Sequence, residues 1–568
     1  MRKSTAIALA AVTLIAITVR LSPLWSFLYW GSDTGEYFSI LRALVRGGHV
    51  STPYYGWGVT YPYFPGMFFA QSGVVELGGL DVPTTINLLV PVLGALAVLP
   101  MFLVARRMTD DDRFSLFAAA FLAGAIPVAY TTAHTAPATV GELLALAGLL
   151  CFVRLRTDGR AMVPLLLVTA TLIATHHLSL YFFLIMVLGT VVVEGLARPW
   201  RWTLGAKREA AFAGALLAGT FVYWLGYATT FRDSILPDVN IQPWWAFLAL
   251  FPAGLVLLAA IIFARSRLRW RYRPRYPSLR RPATAYVSAA GAILIIGVVS
   301  IVIGVPGTTF QVPASGLPYF VPLVLLLSFA ASGRRFVDFL PDGLQVNGWF
   351  VALLGSAVAG IVVAPRVLIP YRHTEYLMIP LAIFAGIGFF RLLDLAGLRG
   401  GKRTLVLGVC GLLLAANAVA GIPPPSTLAG WREGTIPAAL DPAYWAREYA
   451  TGLVVSDHQG STTVFGFGGI NATWDRTRTP FLTESLVIPY DPYVGLRNIS
   501  SPSGVKNGTY IWIDRDMESG LRLTPWESAE PMNSTVIARF DDSPFIKVFD
   551  NGYARLYWIA WGCTPATC

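Results

Sequence analysis

The hydrophobic residues of this 568-residue chain are grouped into long apolar runs that fill most of its first 424 residues. A run of roughly 20 apolar residues is the length of helix that crosses the hydrocarbon core of a bilayer. The runs therefore predict about thirteen transmembrane helices. They begin near Ser4, Thr84, Ser115, Thr139, Met162, Ser179, Glu209, Trp245, Ala285, Leu317, Asn347, Tyr376 and Thr404.

The pattern changes after residue 424, where polar and charged residues are spread through the rest of the chain. Short apolar runs there alternate with turn residues, which is typical of strands. The runs are GLVVSD, TYIWID, STVIARF and FIKVFDNGYARLYWI. We therefore predict a polytopic α-helical membrane domain over residues 1–424 and an α/β or β-rich domain over residues 425–568.

The basic residues fall in alternate loops between the apolar runs, and the loop from Arg265 to Arg281 alone holds eight arginines. Loops rich in Lys and Arg stay in the cytoplasm. This places the N-terminus inside and, with an odd number of spans, the C-terminal domain outside a cell (plasma) membrane. The net charge of +11 is then a feature of topology, so no nucleic-acid partner is expected.

The C-terminal domain contains four N-glycosylation sequons, which agrees with an extracytoplasmic location. Their asparagines are Asn471, Asn498, Asn507 and Asn533. The last residues, CTPATC, contain Cys563 and Cys568. A local disulfide and two free thiols both remain open for this pair.

The predicted topology separates the polar residues of the outer loops from those of the inner loops. Ionisable groups at membrane depth are costly and are usually functional. The first outer loop, residues 26–82, opens with GSDTGEYF, in which Asp33 and Glu36 are three residues apart and would share one face of a helix. The next two outer turns carry His134 and Glu142, and then His176 and His177. These four are candidates for binding a substrate or a metal such as Mg²⁺ or Mn²⁺, and metal dependence stays open.

A late outer loop, APRVLIPYRHTEYLMIP, places Arg366, Arg372 and His373 against the membrane. A guanidinium at this depth matches a lipid phosphate in charge and geometry. An acidic group in the first loop can serve as general base for an acceptor hydroxyl, while the arginine stabilises a phosphate leaving group. Together these features predict glycosyl transfer from a polyprenyl-phosphate sugar.

The layout and the two motifs GSDTGEYF and YRHTEYLMIPLA resemble the GT-C superfamily of membrane glycosyltransferases. The resemblance implies that Asp33 is catalytic with Glu36 as its neighbour, and that Arg372, or Arg366, contacts the lipid phosphate. Within the superfamily the chain is most similar in style to archaeal enzymes of the dolichyl-phosphate-mannose type. The implied partners are a polyprenyl- or dolichyl-phosphate sugar, a glycan or glycoprotein acceptor and membrane lipid.

Two alternatives remain. The catalytic subunit of oligosaccharyltransferase has a similar layout, but its soluble domain carries a WWDxG motif and its fifth outer loop is long with a catalytic Glu. No WWD string occurs in this chain. The corresponding loop here, GVPGTTFQVPASGLP, is short and lacks a Glu. A lipid or sugar transporter (flippase) would place ionisable residues in the middle of helices and show inverted repeats. Here the charges collect at one face and we find no repeat.

Overall fold

The structure is a computed structural model that describes residues 2–50, 54–197, 203–235, 276–303, 314–340, 342–362, 368–422, 433–473, 509–521, 531–541 and 545–559. Its first part is almost entirely helical. The helices are α1 (Lys3–Leu21), α2 (Thr34–Gly47), α3 (Gly66–Gly78), α4 (Val82–Leu96), α5 (Val98–Thr109), α6 (Asp112–Gly124), α7 (Ile126–Ala133), α8 (Pro137–Leu155), α9 (Met162–Ile173), α10 (His177–Ala197), α11 (Leu204–Phe221), α12 (Thr229–Ile235), α13 (Arg280–Val302), α14 (Leu317–Val337), α15 (Gly343–Val362), α16 (His373–Leu395) and α17 (Gly400–Ala420).

Within the described ranges, 10 helical segments are long and apolar enough to cross a membrane, or up to 11 if the bent pair α6–α7 is one span. Those two helices meet at 56°. Pro127, in the first turn of α7, lacks the N–H that would continue α6. Each predicted span lies on one of these segments or on the shorter α9, except the span near Trp245, which falls outside the described residues. A multi-pass helical membrane protein is thus confirmed.

The helix ends that carry the arginine-rich loops are joined by ion pairs. Arg156, at the end of α8, pairs with Glu194 on α10 and with Glu209 on α11. Arg107 Nη1, on α5, lies 3.4 Å from Oδ2 of Asp342, which precedes α15. Loss of one partner would leave an uncompensated charge in a largely buried network, so these contacts hold the helices together at this end.

The C-terminal part forms a mixed five-stranded sheet, which confirms the predicted α/β character. Its strand order is β4-β3-β5-β7-β6, in which β3 pairs in parallel with β4 and β5, and the other pairs are antiparallel. The elements are β2 (Gly434–Thr435), α18 (Asp441–Tyr449), β3 (Leu453–Val455), α19 (His458–Thr463), β4 (Asn471–Ala472), β5 (Thr509–Asp514), α20 (Arg515–Gly520), α21 (Ser534–Ala538), β6 (Phe545–Asp550) and β7 (Ala554–Ile559). The predicted domain boundary at residues 424 and 425 lies outside the described residues.

One predicted strand is wrong, because the run STVIARF begins as the short helix α21. Asn533 precedes this helix, and its side-chain oxygen accepts hydrogen bonds from the amide (2.9 Å) and the hydroxyl (2.8 Å) of Thr535. An Asn in this position satisfies amides that a helix start leaves unpaired. The cap therefore outweighs the strand preference of the β-branched residues that follow.

The first outer loop packs directly against the C-terminal part. Strand β1 (Tyr29–Trp30) pairs antiparallel with β2. A Cβ placed on Gly35 would lie 2.1 Å from the carbonyl oxygen of Thr462, so α2 and α19 touch backbone to backbone. The buried side chains of both parts belong to one hydrophobic cluster, which includes Tyr37, Ile40, Leu41, Val454, Val455, Ile511 and Trp512.

Candidate functional site

Asp33 stands at the N-cap position of α2, yet its side chain makes no capping hydrogen bond there. Its Oδ1 instead lies 2.7 Å from Nε2 of His458, which comes from the C-terminal part of the chain. The Asp33 side chain remains 22% exposed, whereas that of His458 is 0% exposed. The buried His458 therefore orients the Asp33 carboxylate, and part of the Asp33 side chain stays accessible to solvent.

Sequence reasoning missed His458. The histidine begins α19, directly after β3, and the side chain of Asp457 caps this helix by accepting from the amide of Gly460 at 2.8 Å. Trp57 meets the imidazole edge to face, with 5.1 Å between the ring centroids. The available signal was the polar string SDHQG at the carboxyl end of a buried parallel strand, a position where open α/β sheets place functional groups.

Glu36 differs from Asp33 in exposure, although the two residues are three positions apart at the start of α2. Its carboxyl group is fully buried, and its Oε1 accepts a hydrogen bond of 2.6 Å from the amide of Gly58. Burial raises the pKa of Glu36 to about 8, and the Gly58 amide opposes this effect. Near neutral pH its carboxyl group is mainly protonated, which suits a structural role better than that of a carboxylate base.

The ring of His134 is stacked on Trp30, with 5.6 Å between the ring centroids. Its Nε2 is 3.5 Å from Oε2 of Glu433, which also accepts a hydrogen bond of 2.8 Å from the amide of Ser32. Burial lowers the pKa of His134, Glu433 and Asp33 oppose that effect, and Arg372 adds to it. The groups that influence His134 thus include both the predicted base and the predicted phosphate ligand.

Arg372 lies just before α16, with its Nη1 3.0 Å from Oε1 of Glu375. The Arg372 side chain is 31% exposed and that of Glu375 is 7% exposed. Glu375 therefore orients the guanidinium, and the Arg372 side chain as a whole remains partly exposed. The charge of Arg372 also acts on His176 and Tyr37, so these side chains border the same region. Arg366 lies outside the described residues.

The remaining histidine candidates have contacts with residues of the helix bundle. His373 Nε2 hydrogen-bonds Ser356 Oγ at 2.8 Å. His176 Nδ1 accepts from the amide of Ser179 at 3.2 Å, and its pKa is lowered by burial and by the neighbouring His177 and Arg372.

The ring of His177 packs between Phe64 and Phe231. Glu142 is buried on α8, where the charges that act on it are those of Glu375 and Arg20.

In the part of the chain that the structure describes, no group of three or more His, Cys, Asp or Glu side chains is arranged to hold a metal ion. Of the sequons, Asn471 is exposed at β4 and Asn533 precedes α21. Asn498, Asn507, Cys563 and Cys568 lie outside the described residues.

No protein-family model matches the chain, and no curated protein matches it. Among solved structures, it is similar to the Archaeoglobus fulgidus oligosaccharyltransferase tethered to an acceptor peptide with an NVT sequon (TM-score 0.58, 13% identity, 91% of this chain and 70% of that chain). It is also similar to the arabinofuranosyltransferase AftD from Mycobacteria (TM-score 0.50, 15% identity, 100% of this chain and 40% of that chain). At these identities the likeness concerns the fold, and the chain has the GT-C fold of membrane glycosyltransferases.

Proposed function

We propose that this protein is a glycosyltransferase that moves one sugar from a polyprenyl or dolichyl phosphate to a glycan or glycoprotein. The observation that carries the proposal is a partly exposed carboxylate, Asp33, at the same end of the helices as a partly exposed guanidinium, Arg372. A base for the acceptor and a cation for the leaving phosphate are the two groups that this reaction needs. The GT-C fold supports the same reaction class.

In the proposed reaction, the acceptor oxygen forms a bond to the anomeric carbon while the bond from that carbon to the phosphate oxygen breaks. Asp33 takes the proton of the acceptor hydroxyl, and the electron pair leaves with the lipid phosphate. Arg372 neutralises the charge that develops on that phosphate. General-base assistance contributes about 10²–10⁴ in rate, and a well-placed electrostatic partner about 10²–10³.

We place the site on the extracytoplasmic face of the plasma membrane, with the N-terminus in the cytoplasm. The support is the distribution of arginines, since the loops at the end opposite to Asp33 hold the basic residues. We propose a hexose such as mannose as the sugar and an archaeal dolichyl phosphate as the carrier. Their support is the motif resemblance. Mass spectrometry of surface glycans with and without the gene would identify the missing sugar.

The proposal is tested with the full chain in membranes and a polyprenyl-phosphate mannose that carries a radiolabelled sugar. Asp33→Asn and Arg372→Leu should each reduce label transfer by about 10²-fold or more. Asp81→Asn and Arg46→Leu make matched changes in the same loop, at an exposed cap and on the last turn of α2, and should keep full activity. Full activity in both site variants would overturn the proposed chemistry.

A second candidate is en bloc transfer of an oligosaccharide to asparagine, because the fold likeness to an oligosaccharyltransferase extends over 91% of this chain. The two reactions differ in donor and acceptor. A lipid-diphosphate oligosaccharide with a sequon peptide would be consumed by the second activity only. Transfer from the monophosphate donor, with none to the peptide, would support the first.

A further inference from the structure

We infer that His458 is the positioning residue of Asp33, so that the C-terminal region supplies a necessary part of the transfer site. The inference rests on the proposed function, because it gives Asp33 the role of base. Its basis is a contact between residues that are 425 positions apart in the chain. The pair joins the first outer loop to the region that follows the last described span.

The exposure of the two side chains separates their roles. His458 is 0% exposed and Asp33 is 22% exposed, with 2.7 Å between Nε2 and Oδ1. An acceptor hydroxyl can therefore reach the carboxylate, whereas it cannot reach the imidazole. His458 acts through Asp33 and does not touch the reacting atoms.

The hydrogen-bonding pattern also fixes which nitrogen carries the proton. An ionised carboxylate can only accept, so the Nε2–H of His458 donates to Asp33. The other nitrogen, Nδ1, is buried and has no hydrogen-bond partner among the described residues. A proton on Nδ1 would be buried without an acceptor, which is costly. The geometry therefore places a proton on Nε2, which donates one hydrogen bond toward Asp33.

The same C-terminal region also holds the backbone next to Asp33. Glu433 Oε2 accepts from the amide of Ser32 at 2.8 Å, and the Thr462 hydroxyl donates to the carbonyl of Ser32 at 2.7 Å. The amide of Gly31 donates to the Glu433 carbonyl at 2.7 Å. The C-terminal region thus fixes both the backbone next to Asp33 and the Asp33 carboxylate. It is therefore part of the site itself.

This arrangement leads to a specific kinetic expectation. Loss of the Nε2–H bond removes a contact that sets the orientation of the Asp33 carboxylate, so we expect the carboxylate to shift. A displacement of about 1 Å at a reacting group costs about 10²-fold in rate. Substrate binding does not depend on this bond, so the loss should appear in kcat while KM stays nearly constant.

The test compares His458→Leu, which removes the donor, with His458→Gln, which keeps an N–H near the position of Nε2. His458→Leu should lower kcat by about 10- to 100-fold with little change in KM, and His458→Gln should recover most of it. Ser461→Ala is the control, because Ser461 is buried in the same helix and its hydroxyl donates to the carbonyl of Ser456. It should keep wild-type kinetics. Thermal unfolding of each variant reports whether it is folded.

The dependence of the transfer rate on pH is a second test, because a purely structural role of His458 would leave this dependence unchanged. A donor to the charged form favours the carboxylate, so its loss in His458→Leu should shift the acid limb of the rate profile to higher pH. Ser461→Ala should leave that limb in place. The other titratable groups that interact with Asp33 are unchanged in both variants: Glu36, Tyr37, Tyr61 and His134.

The outcomes separate this inference from the proposed function. Wild-type activity that is lost in Asp33→Asn but retained in full in His458→Leu would overturn the inference and leave the function standing. An inactive but stably folded His458→Gln would also overturn it, because an N–H donor would then not suffice. A wild-type chain that transfers no sugar from a lipid-phosphate donor would overturn the function itself.

Discussion

Glu36 allows a stability prediction whose sign and size follow from its environment. Burial raises its pKa in the folded chain from an ordinary 4.5 to about 8. Between these values the folded chain binds the proton more tightly than the unfolded chain does, so the free energy of unfolding falls as pH rises. The fall should reach about 1.4 kcal/mol for each pH unit in the steepest part of this window.

Glu36→Gln tests this expectation directly. The amide is uncharged at every pH, and its oxygen can still accept from the amide of Gly58. The variant should match wild type near pH 4.5, lose the pH dependence described above, and exceed wild type by about 4 kcal/mol at most near pH 8. It should also retain its turnover, because the partly exposed carboxylate at the site is that of Asp33.

The measurement is thermal unfolding of the purified full chain in detergent, from pH 5 to pH 8. Differences between variants at one pH cancel the contributions of other titrating groups. Glu76→Gln, at an exposed position on α3, is the control and should follow wild type at all pH values. Parallel curves for wild type and Glu36→Gln, or a less stable Glu36→Gln at pH 8, would refute the reasoning.

Three further substitutions test the packing around the site. Gly35→Ala should destabilise the chain by about 1–3 kcal/mol and lower activity, because its Cβ would lie 2.1 Å from a backbone oxygen. Its control is Gly73→Ala, whose Cβ would meet nothing within 4 Å and which should be neutral or stabilising in the same thermal assay. Glu433→Leu should lower kcat about tenfold or more with little change in KM, since it frees the amide of Ser32, and unchanged kinetics would contradict that role. Arg156→Leu should lower the unfolding free energy by about 3–5 kcal/mol, as it leaves buried carboxylates unpaired, and an unchanged melting temperature would count against the network.

The sequence was sufficient for the features that depend on position along the membrane normal. Apolar runs give the spans, and arginine-rich loops separate the two ends of the helices. Asp33 follows the first span and Arg372 precedes a late one, so both could be assigned to the same end without knowledge of the packing. Their proximity to His134 agrees with that assignment.

Features that depend on helix rotation could not be obtained in this way. Glu36 is near Asp33 in sequence, but its side chain turns toward Gly58. His373 is adjacent to Arg372, yet it bonds Ser356 inside the bundle. Adjacent residues on a helix point in directions about 100° apart, and only the packed neighbours decide which of them faces the site.

The partner of Asp33 was out of reach for a different reason. His458 lies 425 residues away, and its approach depends on the backbone contact of Gly35 with α19. Neither a period of hydrophobic residues nor a local motif encodes such a contact. A search for polar strings after predicted buried strands would have singled out SDHQG, although without its partner.

The N-cap of α2 adds an energetic argument for treating this contact as functional. An Asp at a helix N-cap normally accepts from the amides of the first turn, which stabilises the helix by about 1 kcal/mol. Asp33 forgoes that bond and is directed instead to His458. Functional sites are places where a residue is expected to depart from such a local preference. Here the departure is accompanied by a buried hydrogen-bond partner. Since that partner belongs to the C-terminal region, we expect the transfer site to be complete only when this region has folded onto the first outer loop.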